Sequence, residues 1–401
     1  NNPSLYKPYR YLENNQYRAK LVLSEMLEQG YIDQARYDEA VAEIDDLASH
    51  LARGENESRP TVIYNWHDEQ VITDVINDLI DKYGYSETLA TDLVNSGGLK
   101  IYSTVDPEIQ AIVEEVYADR ENLPLVSASG QRIQSAIVII DPQGNVVGLA
   151  GAMGEKEKNR VWNYASRSTR QPGSSIKMLS TYAPALELGL ITPATVLDDY
   201  PVQLLSGSAW PNNSYGYYKG LTDVSWAVQQ SSNPVAVRVL EIVTPDASYD
   251  FMTNRFHITT LEPGREINGE YKSDIDVSPL ALGGLTDGVR VIEMAAAYSV
   301  FPRDGMYIAP RTYTKVTQEV DGQEVVLLDN TQDEPEAVIS QETAWYVNDM
   351  LKKVVTSGTG TSAQIPGMTV AGKTGSTNSN NDRWFVGYTA YYTAAVWVGY
   401  D

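Results

Sequence analysis

Ser135-Ala136-Ile137-Val138-Ile139-Ile140-Asp141-Pro142-Gln143-Gly144-Asn145-Val146-Val147-Gly148-Leu149-Ala150 is the stretch on which the fold turns. Two apolar runs rich in β-branched residues flank a segment of Asp, Pro, Gly and Asn, residues that favour tight turns, so the stretch reads as a β-hairpin. Strand signals return far downstream, at Met368 to Ala371, Trp384 to Thr389 and Tyr391 to Tyr400, where β-branched and aromatic residues dominate. The centre is helical in pattern, at Met178 to Leu188, Val224 to Gln230, Pro234 to Val243 and Val291 to Phe301. Strands at both ends of a domain with helices between them imply one mainly antiparallel sheet, assembled from distant segments and flanked by helices. The predicted class is α+β.

Upstream of the hairpin the pattern changes. Residues 16 to 29 read as an amphipathic helix stopped at Gly30, and a second helix follows from Asp33 with Tyr37, Ala40, Val41, Ile44 and Leu47 at helical spacing. Gly54 to Pro60 is polar and charged, as a linker is, and Thr61 to Asn95 resumes with a short β-like run and a helical pattern ending at Ser96-Gly97-Gly98. A chain of 401 residues exceeds what one core usually organises. The expected division is a helical module at 1–53, a connecting module at 54–130 and a large domain at 131–401.

Composition narrows the chemistry. The chain has no cysteine, which removes disulfides, thiolate metal sites and cysteine nucleophiles together. No run approaches the length of apolar sequence that spans a bilayer, and Asn1-Asn2-Pro3-Ser4 lacks the basic start of a signal peptide, so any membrane anchor is expected outside this chain. A formal net charge of −23 repels nucleic-acid phosphates, and no nucleic-acid partner is expected. Against that mean, Lys158 to Leu186 carries Lys158, Arg160, Arg167, Arg170 and Lys177 without an acid, and Met350 to Asn381 carries Lys352, Lys353 and Lys373 without one. Two basic segments in an acidic protein point to a site for an anion. The 27 tyrosines read as packing residues rather than a sugar-stacking surface.

Three short motifs occur in order: Ser174-Ser175-Ile176-Lys177, Ser231-Ser232-Asn233 and Lys373-Thr374-Gly375. Each is weak alone, since Ser-x-x-Lys recurs at Ser4 to Lys7 and Ser-x-Asn at Ser376 to Asn378 and Ser379 to Asn381. Context separates them. Gln171-Pro172-Gly173 breaks the chain and delivers Ser174 to the start of a helical run, where unpaired N–H groups favour a developing oxyanion, whereas Ser4 follows Pro3 and precedes no helical pattern. Lys177, three residues on, shares a helical face with Ser174. The bland alternative for Ser174 is a helix N-cap. Ser231-Ser232-Asn233 lies between two helical patterns, with Pro234 able to open the second. Lys373-Thr374-Gly375 is expected to end a short strand, with Gly375 leaving room for a substrate backbone. His50, His67 and His257 fall near none of these motifs, which argues against a histidine triad.

Together these residues resemble the serine penicillin-recognising enzymes, whose superfamily signature comprises such motifs, and specifically the class A penicillin-binding proteins. The resemblance also covers Trp384-Phe385-Val386-Gly387-Tyr388, the Gly283-Gly284 to Tyr298 helix and Tyr102-Ser103-Thr104-Val105-Asp106-Pro107. It implies acyl transfer from a peptidoglycan stem peptide ending in D-Ala-D-Ala, through an acyl-enzyme at Ser174, and covalent capture by β-lactams. Lys177 would serve as base, its pKa lowered by desolvation and by Lys373. Ser231 would relay a proton, and Asn233 would hold substrate amides or orient Lys177. Thr374, Gly375, Ser376 and Thr377 would line the substrate, with Thr374 and Ser376 on its carboxylate and the backbone N–H groups of Ser174 and Ser376 forming an oxyanion hole. No metal or cofactor is implied. The same resemblance makes 1–53 the end of a glycosyltransferase domain whose catalytic region is absent. It places the protein on the outer face of the bacterial cytoplasmic membrane, held by an N-terminal transmembrane helix absent from this chain, with other cell-wall synthesis and division proteins as partners. The chain stops where the family adds a further helix. Alternatives are a D,D-carboxypeptidase, a class A β-lactamase, which usually carries Asp where this chain has Ser232, and a non-catalytic β-lactam sensor.

Overall fold

The computed structural model describes residues 6–8, 11–51, 62–127, 129–332, 334–377 and 380–400, and the chain divides into two compact units, Asn1–Val62 and Ile63–Asp401. The first is the expected helical hairpin. Helix α1 spans Leu12–Glu28, four residues earlier than its amphipathic pattern, and α2 spans Gln34–Asp45 after Asp33, whose side chain accepts from the Arg36 N–H at 2.9 Å. Gln16 Nε2 ties the two by donating to the Ile44 carbonyl at 2.7 Å. Neither helix buries a residue completely. The linker reading at Gly54 to Pro60 lies outside the described residues.

The second unit is built on a five-stranded sheet. In chain order its strands are β2 (Gln134–Ile140), β3 (Val146–Ala150), β6 (Ala371–Ser376), β7 (Asp382–Tyr388) and β8 (Thr393–Gly399). Their spatial order is β6-β7-β8-β2-β3 and every pairing is antiparallel, with Ile137 opposite Val396 and Ala150, and Lys373 opposite Val386. The decisive hairpin therefore forms as read, and β8 returns some 250 residues later to pair with it. Alternation along β8, where Ala395, Trp397 and Gly399 are buried and Ala394, Val396 and Val398 less so, shows the two-residue period of a sheet with one face in the core. Helix α8 (Val291–Tyr298) packs against β2, β7 and β8, and α5 (Pro107–Ala118) against β3.

Two readings are corrected on this sheet. The third strand was expected at Met368 to Ala371 with the lysine motif at its end; it runs instead over Ala371–Ser376 and contains the motif, while Met368 only bridges Ile365. The Gly283-Gly284 to Tyr298 segment is helical only from Val291, because Gly283 closes the preceding short helix Val277–Leu282 and the chain loops from there.

The module expected upstream of residue 130 is completed from elsewhere. Helices α3 (Trp66–Tyr83) and α4 (Glu87–Ser96) break at Gly84, and strand β1 (Leu99–Ser103) follows. Val62 to Asn65 form no strand; Asn65 caps α3 instead, accepting from Asp68 N–H at 2.7 Å. β1 pairs with β4 (Tyr313–Val320), which pairs with β5 (Gln323–Asp329). Val71, Val75 and Leu79 of α3, one helical turn apart, meet Ala90, Tyr313, Val316 and Leu328 in a core of their own.

Candidate active site

The site forms where three chain segments meet, and each is held by its own chemistry. Ser174 sits in a single 3₁₀ turn, Gly173–Ile176, followed by a π turn at Met178–Tyr182 and a short α-helix at Ala183–Glu187. The continuous α-helix expected from Ser174 is thus replaced by a tight turn and a wide one, an irregularity that recurs at functional sites. The turn is clamped on all sides. Tyr298 donates to the Ser175 carbonyl, Trp384 Nε1 donates to the Gln171 carbonyl at 2.9 Å, and Gln171 exchanges two 2.7 Å hydrogen bonds with Leu285. Gly173, Ser175 and Ile176 are buried, whereas Ser174 keeps access to solvent. Ser174 is not the N-cap of this turn: it lies inside Gly173–Ile176, and Pro172 occupies the cap position.

Two glycines let this turn and β6 touch. A Cβ on Gly173 (φ +51°) would lie 2.5 Å from the Ser376 carbonyl oxygen, and one on Gly375 would lie 2.2 Å from the Pro172 carbonyl oxygen. Gly375 is therefore required by the packing of the strand on the serine turn, not only by room for a substrate.

The second segment is the break between α6 (Val224–Gln230) and α7 (Asn233–Val243). Ser231 occupies the left-handed region (φ +61°, ψ +39°), a conformation costly for a residue with a Cβ and one that gathers at functional sites. Ser232 caps α7, and Pro234 lies in its first turn. The loop Ser357–Gly360, after α9 (Gln341–Ser357), locks this segment to β6. Gln229 donates to Ser357 Oγ at 2.6 Å, Thr359 N–H donates to the Gln229 carbonyl, and the Thr359 and Thr374 hydroxyls are 2.7 Å apart.

Lys177 and Lys373 converge on Ser231 from opposite sides. Lys373 Nζ donates to Ser231 Oγ at 2.9 Å and to the Thr374 carbonyl at 3.1 Å. Lys177 Nζ donates to Asn233 Oδ1 at 2.6 Å and to the Ser231 carbonyl at 3.0 Å, and stands 3.5 Å from Ser231 Oγ. Both lysines are completely buried. Burial, then the charge of Lys373, hold Lys177 well below the usual lysine range, with Asp199 opposing; burial brings Lys373 to about 7.

The structure thus gathers Lys177, Ser231, Asn233 and Lys373 beside the turn of Ser174 and the strand carrying Thr374 and Ser376. Ser376 is exposed and Thr374 half-buried. Thr377 is committed elsewhere: its N–H donates to the Asp382 carbonyl, and its hydroxyl accepts from the Asp382 N–H at 3.1 Å. The basic segments contribute less than their charge count implies. Arg167 stacks on Trp162, Arg170 on Tyr164 and Trp397, and Lys353 pairs with Asp349. His67 is buried against the Val146 carbonyl and His257 pairs with Glu336, neither in this cluster. Sequence reading missed Thr359, Asn213 and Asp199, each an isolated polar residue in no motif. Among the described residues no group of His, Asp and Glu side chains could hold a metal.

Residues 135–401 match the penicillin binding protein transpeptidase domain. The chain is 32% identical, over 98% of its length, to penicillin-binding protein 1A of Clostridium perfringens, of which it covers 58%. It is 29% identical, over 99% of its length, to penicillin-binding protein 1A/1B of Bacillus subtilis, of which it covers 41%; the chain spans about half the length of these relatives. Among solved structures it is similar to PonA1 of Mycobacterium tuberculosis in complex with penicillin V, at 26% identity and a TM-score of 0.67 over 83% of this chain and 84% of that one. The fold also matches penicillin-binding protein 1A of Haemophilus influenzae, at 20% identity and a TM-score of 0.64 over 99% and 73% of the two chains. With three motifs converging on one buried pair of lysines, and that match running through all of them, the chain belongs to the penicillin-binding protein transpeptidase family.

Proposed function

We propose that the chain is a serine D,D-transpeptidase that cross-links peptidoglycan stem peptides through an acyl-enzyme at Ser174 and is acylated there by β-lactams. The observation that carries this reading is Ser231 Oγ, placed between two buried amines beside the turn that presents Ser174 to solvent. An alcohol becomes a nucleophile when a base takes its proton. Lys177 is suited to that role because burial and Lys373 disfavour its charged form.

In acylation, Ser174 Oγ bonds to the carbonyl carbon of the penultimate D-Ala as its proton passes to Lys177. The peptide C–N bond then breaks, and the departing D-Ala nitrogen takes a proton delivered through Ser231. An acceptor amine reverses these steps, and a β-lactam follows the first half only. The N–H groups of Ser174 and Ser376 would receive the oxyanion, for which Gly173 brings the Ser376 backbone close to the serine turn. Thr374 and Ser376 would bind the terminal carboxylate, and Asn233, already holding Lys177, would keep the base in line.

In the same reading, α1 and α2 are the end of a glycosyltransferase domain. The working place is the outer face of the bacterial cytoplasmic membrane; no helix among the described residues is long and apolar enough to cross it. Incubation with a labelled penicillin, followed by intact mass and peptide mapping, tests the proposal. A long-lived penicilloyl adduct on Ser174 is expected, together with exchange of an added D-amino acid into a donor peptide. Ser174→Ala should fold and take no label; labelling of that variant refutes the assignment, rapid loss of the adduct makes the protein a lactamase, and release to water alone makes it a carboxypeptidase.

A further inference from the structure

Asp199, at the end of the short strand Val196–Asp199, has no exposed surface and belongs to none of the three motifs. Its carboxylate receives four hydrogen bonds: Asn213 Nδ2 and Ser232 Oγ donate to Oδ1 at 2.8 Å each, and Tyr215 OH at 2.9 Å and the Lys219 N–H at 2.8 Å donate to Oδ2. Two of these donors lead straight into the site. Ser232, whose carbonyl lies 3.3 Å from Lys177 Nζ, is the middle of the Ser231–Asn233 turn. Asn213 accepts the Asn233 N–H at 2.9 Å, and Asn233 is the residue that holds Lys177. The two buried lysines themselves pair with no carboxylate among the described residues; their partners are hydroxyl, amide and carbonyl oxygens.

We propose that Asp199 is a positioning residue of the acyl-transfer site. Through Ser232 and Asn213 it fixes the Ser231–Asn233 turn against Lys177, and it sets a buried anion beside the lysine pair. The inference rests on the serine acyl-transfer reading. It also accounts for the neutral Ser232, at the position where class A β-lactamases usually carry Asp: the hydroxyl passes the hold of a carboxylate that comes from a separate strand. Burial works to raise the Asp199 carboxyl, but its hydrogen bonds outweigh burial and keep it below the usual range, so it is ionised at neutral pH. The titratable groups facing it are Lys177, Tyr182 and Tyr215, both tyrosines being pushed up and neutral there, while Lys219 offers it a backbone N–H and sets its ammonium over the Trp226 ring. An anion at this place favours the charged form of Lys177, against Lys373, and so sets the pH at which the base is released.

The test is the second-order rate of acylation by a labelled penicillin as a function of pH, for the wild-type chain, Asp199→Asn and Ser232→Ala, with folding followed by circular dichroism. Asp199→Asn should lower the plateau rate about 10-fold or more and move the acid limb of the profile down by about one pH unit, since removing the anion lowers the lysine pKa. Ser232→Ala cuts one bridge but keeps the charge; its rate should fall about 3- to 10-fold with the limb unmoved. A lower plateau with an unmoved limb in folded Asp199→Asn overturns the electrostatic role. If Asp199→Asn does not fold, the Ser232→Ala, Asn213→Ala double variant decides: wild-type acylation in it overturns the positioning role. A wild-type chain that takes no label, or takes it away from Ser174, defeats the functional reading instead, so the two failures are distinct.

Discussion

Lys373 is a fully buried lysine whose partners are a serine hydroxyl and a carbonyl. Its pKa falls from the ordinary 10.5 to about 7 through desolvation, so between those values the unfolded chain binds more protons than the folded one and stability rises with pH across that window. Lys373→Met should therefore be more stable than wild type by about 2–3 kcal/mol near pH 6, after the lost hydrogen bonds to Ser231 and Thr374 are subtracted, with the difference shrinking toward pH 10. Urea unfolding at the two pH values checks the sign, and the same variant should fail to acylate. Ser231→Ala breaks the bridge between the amines and should slow acylation on the order of 10²- to 10⁴-fold, with little loss in penicillin encounter. Ser174 with Lys177, and Ser231 with Asn233, were legible as candidates because short spacings keep each pair together, and Lys373 because it opens a Lys-Thr-Gly motif. Asp199, Asn213 and Thr359 were not: each gains its role by approaching a motif from a segment that sequence spacing does not relate to it.

At the level of elements, the seam between the Gly173–Ile176 turn and β6 sets the geometry of the site. Gly375→Ala would drive a methyl into the Pro172 carbonyl and the Ser175 side chain. It should cost about 2–4 kcal/mol in stability and lower acylation more than 10-fold in whatever folds, measured by denaturant midpoint and penicillin labelling. The hairpin β2–β3, α6 and α7 were readable because periodicity and turn chemistry agree there. The Met368 to Ala371 strand was displaced because Ala371-Gly372-Lys373-Thr374-Gly375-Ser376 carries too little β propensity to announce itself; pairing with the strongly apolar β7 imposes extended structure on it. The π turn after Lys177 leaves no trace in an apolar run that reads equally well as α-helix. β4 and β5 were missed for a related reason, since Gln323–Asp329 is largely exposed and shows no clean alternation.

For the molecule as a whole, Ile63–Asp401 has its own cores and carries every residue of the site. A chain beginning at Ile63 should keep its main thermal transition within a few degrees and be labelled by penicillin at the full-length rate; loss of either would show that the helical hairpin supports the site. The strand order carries a different consequence, one of timing. All residues of the site precede Asn378, yet β6 reaches β2 only through β7 and β8. At about 5–20 residues per second of synthesis, the apolar edge of β2 waits on the order of 10–50 s for Thr393–Gly399 to be made. A chain broken off between Thr377 and Thr393 holds Ser174, Lys177, Ser231 and Lys373, but it shows other chains the unpaired edge of Ala136-Ile137-Val138-Ile139-Ile140 that β8 would cover. Premature termination late in this chain therefore yields an aggregating species rather than a weakened enzyme.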